Sequence, residues 1–183
     1  DANAEEWGAT RDESVPAAAH GGVFWSGSFF PNLAAWDKLS PWQERGAGGT
    51  NVQIRFPGSG MSASMSVFDE GLYKKAHAHG PGRVIVIPAG EGYSVLWPPG
   101  GEKVICPWGE ASVFTPPGNW YHQHFNVGET PDRYLAMHAP RVLSSSYERV
   151  EDRARDQIEY PSEDPMVKET FEAELGKRGL TTL

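Results

Sequence analysis

Four of the six histidines fall in two pairs of the form His-x-His, His77 with His79 and His122 with His124. In an extended strand, side chains two apart leave the same face, so each pair aims two imidazoles to one side of the backbone. Both pairs lie among short apolar segments punctuated by Gly and Pro, the pattern of strands joined by tight turns. A fold that joins the pairs crowds four imidazoles into one interior, where protonated rings repel and unpaired ones lose hydration. A shared cation removes that cost, so the pairs read as a metal site inside a small β-barrel. The competing reading leaves one pair on the surface.

The flanking sequence supports the barrel. Val52, Ile54 and Phe56 alternate with Gln53 and Arg55, as in a half-buried strand. Met61, Ala63, Met65 and Val67 alternate with Ser62, Ser64 and Ser66, which predicts the methionine side toward the interior. Tyr73, Lys75, His77 and His79 share one parity. Further strands are expected near residues 83–87, 93–97, 103–106, 113–115, 120–125 and 134–138. Strands at such spacing with no helical pattern between them read as all-β, a double-sheet jelly roll or small barrel.

Residues 51–140 would form that barrel. Residues 1–50 read as an N-terminal arm and an aromatic lead-in, with His20 a surface residue and Trp25, Phe29, Phe30, Leu33 and Trp36 covering a barrel mouth or subunit interface. Residues 141–183 form an acidic extension: 148–156 reads as a solvated crossing, and a helix spans about 165–176. Asp164-Pro165 starts that helix, and Val167, Phe171 and Leu175 lie on one face to dock on the barrel or a partner.

With 183 residues, one domain with a real core is expected. A net charge of -8 without basic runs argues against a nucleic-acid partner. No apolar run approaches the ~18 residues of a membrane helix, and no signal-peptide core is visible. The chain begins with Asp1, so processing is expected and an earlier export signal stays open. Cys106, the single cysteine, excludes an internal disulfide and a multi-cysteine zinc site. Its apolar strand predicts a buried structural thiol, and the cysteine usage suits a reducing, cytoplasmic setting.

The motif spacing resembles the cupin superfamily. Gly71-x5-His77-x-His79, a strand ending at Gly90, then Pro116-x-Gly118 and His122-x3-Asn126 parallel the two cupin motifs over about 55 residues. The resemblance implies a double-stranded β-helix whose metal is held by His77, His79 and His122, with His124 the competing third ligand and the His122-x3-Asn126 spacing favouring His122. It departs at Arg83, where cupins carry a ligating glutamate, and at one extra residue between Gly118 and His122. The run from Trp120 to Asn126 is also similar to Trp-x-His-x-His-x-Asn of gentisate and salicylate ring-cleaving dioxygenases, cupins with a three-histidine iron site.

Three neutral imidazoles would leave a divalent ion its full charge and two or three open positions. By resemblance the ion is Fe(II), with Zn, Ni, Mn or Cu also compatible. His124 is then expected to act as acid/base or to hydrogen-bond a bound oxygen, and Arg83 to clamp an acidic substrate in bidentate fashion. Trp120, Asn126, Tyr93, Trp97 and Met65 are candidate pocket residues, with core packing the alternative for the last three. The resulting expectation is an Fe(II) dioxygenase of a small aromatic or enolic carboxylic acid. The alternatives are a non-redox lyase, isomerase or decarboxylase, or a cupin that binds metal and ligand without turnover. Cupins commonly pair, so a homodimer is expected.

Overall fold

The alternation in residues 50–68 gives two long antiparallel strands, β4 (Thr50–Arg55) and β5 (Ser62–Phe68), with Val52 opposite Met65 and Ile54 opposite Ala63. The computed structural model describes residues 13–15, 22–42, 45–80, 82–138 and 156–182. Among these, one sheet runs β1 (Glu13–Val15), β2 (Gly22–Ser26), β4, β5, β12 (Asp132–His138), β7 (Val84–Ala89) and β10 (Val113–Phe114), with β3 (Ser40–Pro41) paired to β4. The other runs β13 (Gln157–Ile158), β6 (Ala76–Ala78), β11 (Tyr121–Asn126), β8 (Glu91–Trp97) and β9 (Val104–Gly109). From β5 to β12 the chain changes sheet at every step but one, winding the two sheets into a double-stranded β-helix. At the β7–β8 corner Gly90 takes a φ of 106°, and a Cβ there would lie 1.8 Å from an oxygen of Asp132. Only glycine suits that turn.

The serine and methionine faces of β5 are the reverse of the sequence expectation. Ser64, level with Ala136 of β12, turns into the barrel and meets the His138 ring, Oγ to Nε2 3.1 Å. Met65 and Ala63 point out of the barrel, where they pack with Trp25, Trp36, Val52, Ile54 and Leu135. The physical reason is the lead-in segment. Trp25, in the strand β2 that lies parallel to β4, is fully buried, and Phe30, Leu33, Trp36 and Leu39 lie over the outer sheet face. This aromatic surface is thus covered mainly within the chain rather than at a barrel mouth.

A second apolar layer lies outside the other sheet. Helix α1 (Pro165–Lys177) is capped by Asp164, whose side chain accepts from the Met166 N–H, and buries Val167, Phe171 and Leu175. They pack on Tyr93, Val95, Trp97 and Phe125, with Tyr93 stacked on Phe125 at 4.6 Å. Fully burying side chains of this size contributes roughly 1.5–3 kcal/mol each. The segment before the helix crosses the barrel wall. β13 pairs with β6, Glu163 accepts from the Tyr73 hydroxyl (2.5 Å) and from Gln123 (3.1 Å), and Tyr160 donates to the Tyr73 carbonyl.

Cys106 differs from expectation as well. It is half-buried on β9, the edge strand of its sheet, beside Val104 and Ile105, which are each more than half exposed. His20 and residues 148–155 lie outside the described residues. No described helix is long and apolar enough to cross a membrane.

Candidate metal centre

β6 supplies His77 and leads into His79, and β11 supplies His122 and His124. The register of this antiparallel pair sets His77 directly opposite His122. Their ring centroids are 4.3 Å apart, His79 lies 4.7 Å from His122, and one nitrogen from each of the three rings falls within 4.8 Å of the others. All three are at most 8% exposed.

The protonation pattern suits coordination. Nδ1 of His77 donates to the Lys75 carbonyl and Nδ1 of His122 to the Trp120 carbonyl, both at 3.2 Å. Each bond fixes the Nδ1–H tautomer and leaves Nε2 with a lone pair, the arrangement in which imidazole binds metal. Burial, with the charges of Arg45 and the neighbouring rings, holds His77 well below the ordinary histidine range. Burial brings His122 down to about 4 against the opposing Trp120 carbonyl bond, and Arg45 and Arg83 lower it further. Neutral imidazoles at neutral pH are ready ligands, and the donor set fits a divalent ion.

His124 is set apart from this group. Its ring centroid is 5.6 Å from that of His122 and 4.9 Å from Tyr134, and its Nδ1 lies 2.7 Å from Ser94 Oγ. Of the two candidates for the third position, His122 completes the cluster.

Arg83 reaches the cavity side of β12, with Nη1 3.5 Å from His138 Nε2, and its charge acts on both His122 and Tyr134. Two cationic groups here carry no motif. Arg45 follows the aromatic lead-in, donates to the Gln157 side chain at 3.0 Å, and is thereby held beside β6, where Gln157 pairs with His77. Lys74 is 2% exposed, its ammonium 5.0 Å from the Phe68 ring centroid and pressed against Gly49. Burial, then the charge of Arg45, lowers its pKa to about 7.

Lys74 faces inward because β6 is entered through an irregularity. Tyr73 bridges Phe125 and Lys74 N–H donates to the His124 carbonyl, yet His77 pairs with His122, so one extra residue lies between the two pairings. Parity therefore breaks between Tyr73, packed outside with Phe125, and His77 inside. The single parity expected for residues 73–79 does not hold.

Three expected pocket residues lie elsewhere. Tyr93 and Trp97 pack under α1, Trp97 stacked on Tyr121, because β8 turns Ser94 and Leu96 inward instead. Met65 sits on the far face of its sheet. Asn126 shares the histidine face but spends its amide on the chain: Nδ2 donates to the Phe68 and Thr130 carbonyls, and Oδ1 accepts from Gly128. Trp120 is half-buried and contributes its carbonyl to His122.

No family model matches this chain, and no curated protein does. Among solved structures it is similar to Lactobacillus farciminis oxalate decarboxylase in a formate complex, at 19% identity and a TM-score of 0.50 over 58% of this chain and 32% of that one. It is also similar to the capsular polysaccharide assembling protein CapF of Staphylococcus aureus, at 15% identity and 0.46 over 55% and 30%. A recombinant oxalate oxidase in complex with glycolate matches at 21% identity and 0.40 over 43% and 41%. The aligned part thus spans less than half of each of these chains. The fold is the cupin double-stranded β-helix, and within it His77, His79 and His122 form a cluster that could hold a metal ion.

Proposed function

We propose that this barrel is a metal-dependent enzyme acting on a small carboxylic acid, with His77, His79 and His122 as the ligands of a divalent ion. The observation that carries the reading is the convergence of three buried imidazoles within 4.8 Å, two of them with Nδ1 committed to backbone carbonyls. An ion bound there would supply Lewis acidity and, as iron(II), the redox couple that oxygen activation requires. The chain supplies the rest. Arg83 takes the substrate carboxylate, and Arg45 adds positive charge beside β6, so the cavity selects an anionic guest. His124, with Tyr134 against its ring, stands beside the cluster to hold an oxygen of that guest.

The first reading is oxidative cleavage of a small aromatic or enolic acid with Fe(II). The second is non-redox decarboxylation, lysis or isomerisation of such an acid. The excess of cationic groups favours it, since fixed positive charge stabilises an enolate or carbanion without any oxidant. Elemental analysis of protein purified without added metal tests the ion. Oxygen uptake with ferrous iron and a panel of phenolic and enolic acids, set against anaerobic turnover with manganese or zinc, separates the two chemistries. A protein that takes up no divalent ion on reconstitution overturns both.

A further inference from the structure

Behind His124 lie two buried side chains, Ser94 and Trp108, with no place in the reading above. Trp108 Nε1 donates to Ser94 Oγ at 2.9 Å, and Ser94 Oγ stands 2.7 Å from His124 Nδ1. Ser94 is fully buried, Trp108 is 5% exposed and His124 2% exposed.

An indole nitrogen can only donate, so Ser94 Oγ is the acceptor of the first bond. The serine hydroxyl then has one proton to place. Among the described residues the His124 ring is its sole remaining hydrogen-bond partner. If Nδ1 carried a proton, that proton and the hydroxyl proton would compete, and a buried donor would be left unsatisfied at a cost of about 1–3 kcal/mol. The economical arrangement sends Trp108 N–H to Ser94 and the Ser94 hydroxyl to the Nδ1 lone pair. His124 then carries its proton on Nε2.

We infer that Ser94 and Trp108 lock His124 in the Nε2–H tautomer, opposite to that of His77 and His122, making it a hydrogen-bond donor toward an anionic oxygen of the guest rather than a fourth ligand. The backbone and the indole thus sort histidines of one barrel into two kinds: carbonyl acceptors two residues upstream make His77 and His122 lone-pair donors, and a hydroxyl makes His124 an N–H donor. The ligand class this adds is an oxyanion, carboxylate or phenolate, held between the ion and His124 Nε2. That ligand assignment rests on the proposed metal site, but the tautomer does not.

Nitrogen-resolved NMR of the imidazole rings in metal-free protein is the test. The expected result is an N–H at Nε2 of His124 and at Nδ1 of His77 and His122. Ser94→Ala should move His124 toward the other tautomer, Ser94→Thr should keep the wild-type pattern, and thermal melting should confirm that both variants are folded. With Cu(II) bound, the electron paramagnetic resonance spectrum should report three histidine nitrogens in wild type and a fourth in Ser94→Ala if the released ring turns its lone pair to the ion. An Nδ1–H tautomer at His124 in the wild-type protein, or ring shifts unaltered in Ser94→Ala, overturns the inference. Failure of the metal reading would show separately, as no copper uptake in wild type with the tautomers as stated.

Discussion

His77 and His122 face one another across β6 and β11 with ring centroids 4.3 Å apart, each held through Nδ1 by the carbonyl two residues before it. Replacing either removes a lone pair and leaves that carbonyl unused. His122→Ala should weaken Zn(II) or Co(II) binding by more than the ~10–100-fold that loss of an outer hydrogen-bond partner costs. Titration calorimetry of metal-free protein checks it, with Trp97→Phe, which alters the face under the helix, expected to leave the affinity unchanged.

Arg83 and the proposed carboxylate contact predict a binding defect. Arg83→Gln should raise KM for an acidic substrate roughly 10–100-fold, the worth of a charge-assisted hydrogen bond of ~1.5–3 kcal/mol. The metal content should stay at the wild-type level, as elemental analysis would read.

Lys74 gives a stability that climbs with pH. Its folded pKa is about 7, against roughly 10.4 in an unfolded chain. Between those values the unfolded state holds more protons, so stability rises with pH across that window, and below pH 7 the full burden of the buried ammonium remains. Lys74→Met should therefore raise the melting temperature by several degrees at pH 6 and by much less at pH 10.

Asp132 works in the opposite sense. Burial, against the Glu91 N–H bond, raises its pKa to about 8, while an unfolded aspartate titrates near ~3.9. The folded state holds the extra proton between these values, so stability declines as pH climbs from about 4 to 8. Oδ1 accepts from the Glu91 N–H at 2.9 Å, and Oδ2 is buried with no hydrogen-bond partner among the described residues. Asp132→Asn keeps the first contact and removes the charge, and melts across that range should lose their pH slope.

Phe171 is fully buried between α1 and the Tyr73 and Phe125 rings. Phe171→Ala should cost about 3–5 kcal/mol in chemical denaturation. The histidine cluster lies on the other face of that sheet, so metal affinity of the folded fraction should be kept.

The barrel and the histidine cluster were legible because period-two alternation and His-x-His spacing are local signals. Helix α1 was legible for the same reason, through Asp164-Pro165 and the four-residue spacing of Val167, Phe171 and Leu175. Which face of β5 meets the cavity was not. Alternation says that two faces differ, and only the docking of Trp25 and Trp36 decides that methionine belongs outside and serine inside. Ser94 and Arg45 carry no motif either: one matters through its cross-strand neighbour His124, the other through a contact 112 residues away at Gln157. For Tyr93 and Trp97 the sequence leaves pocket and core both open, and the helix that claims them for the core is distant in sequence.

The supernumerary residue between Tyr73 and His77 has a consequence for how this wall can vary. Lys74 and His77 stand three apart, so strict alternation would send the ammonium and the leading imidazole to opposite faces, and the irregularity is what lets both meet the cavity. Excising Lys75 would leave the ammonium and the imidazole two residues apart, the spacing at which a regular strand keeps both on one face, so this stretch can be one residue shorter without surrendering either group.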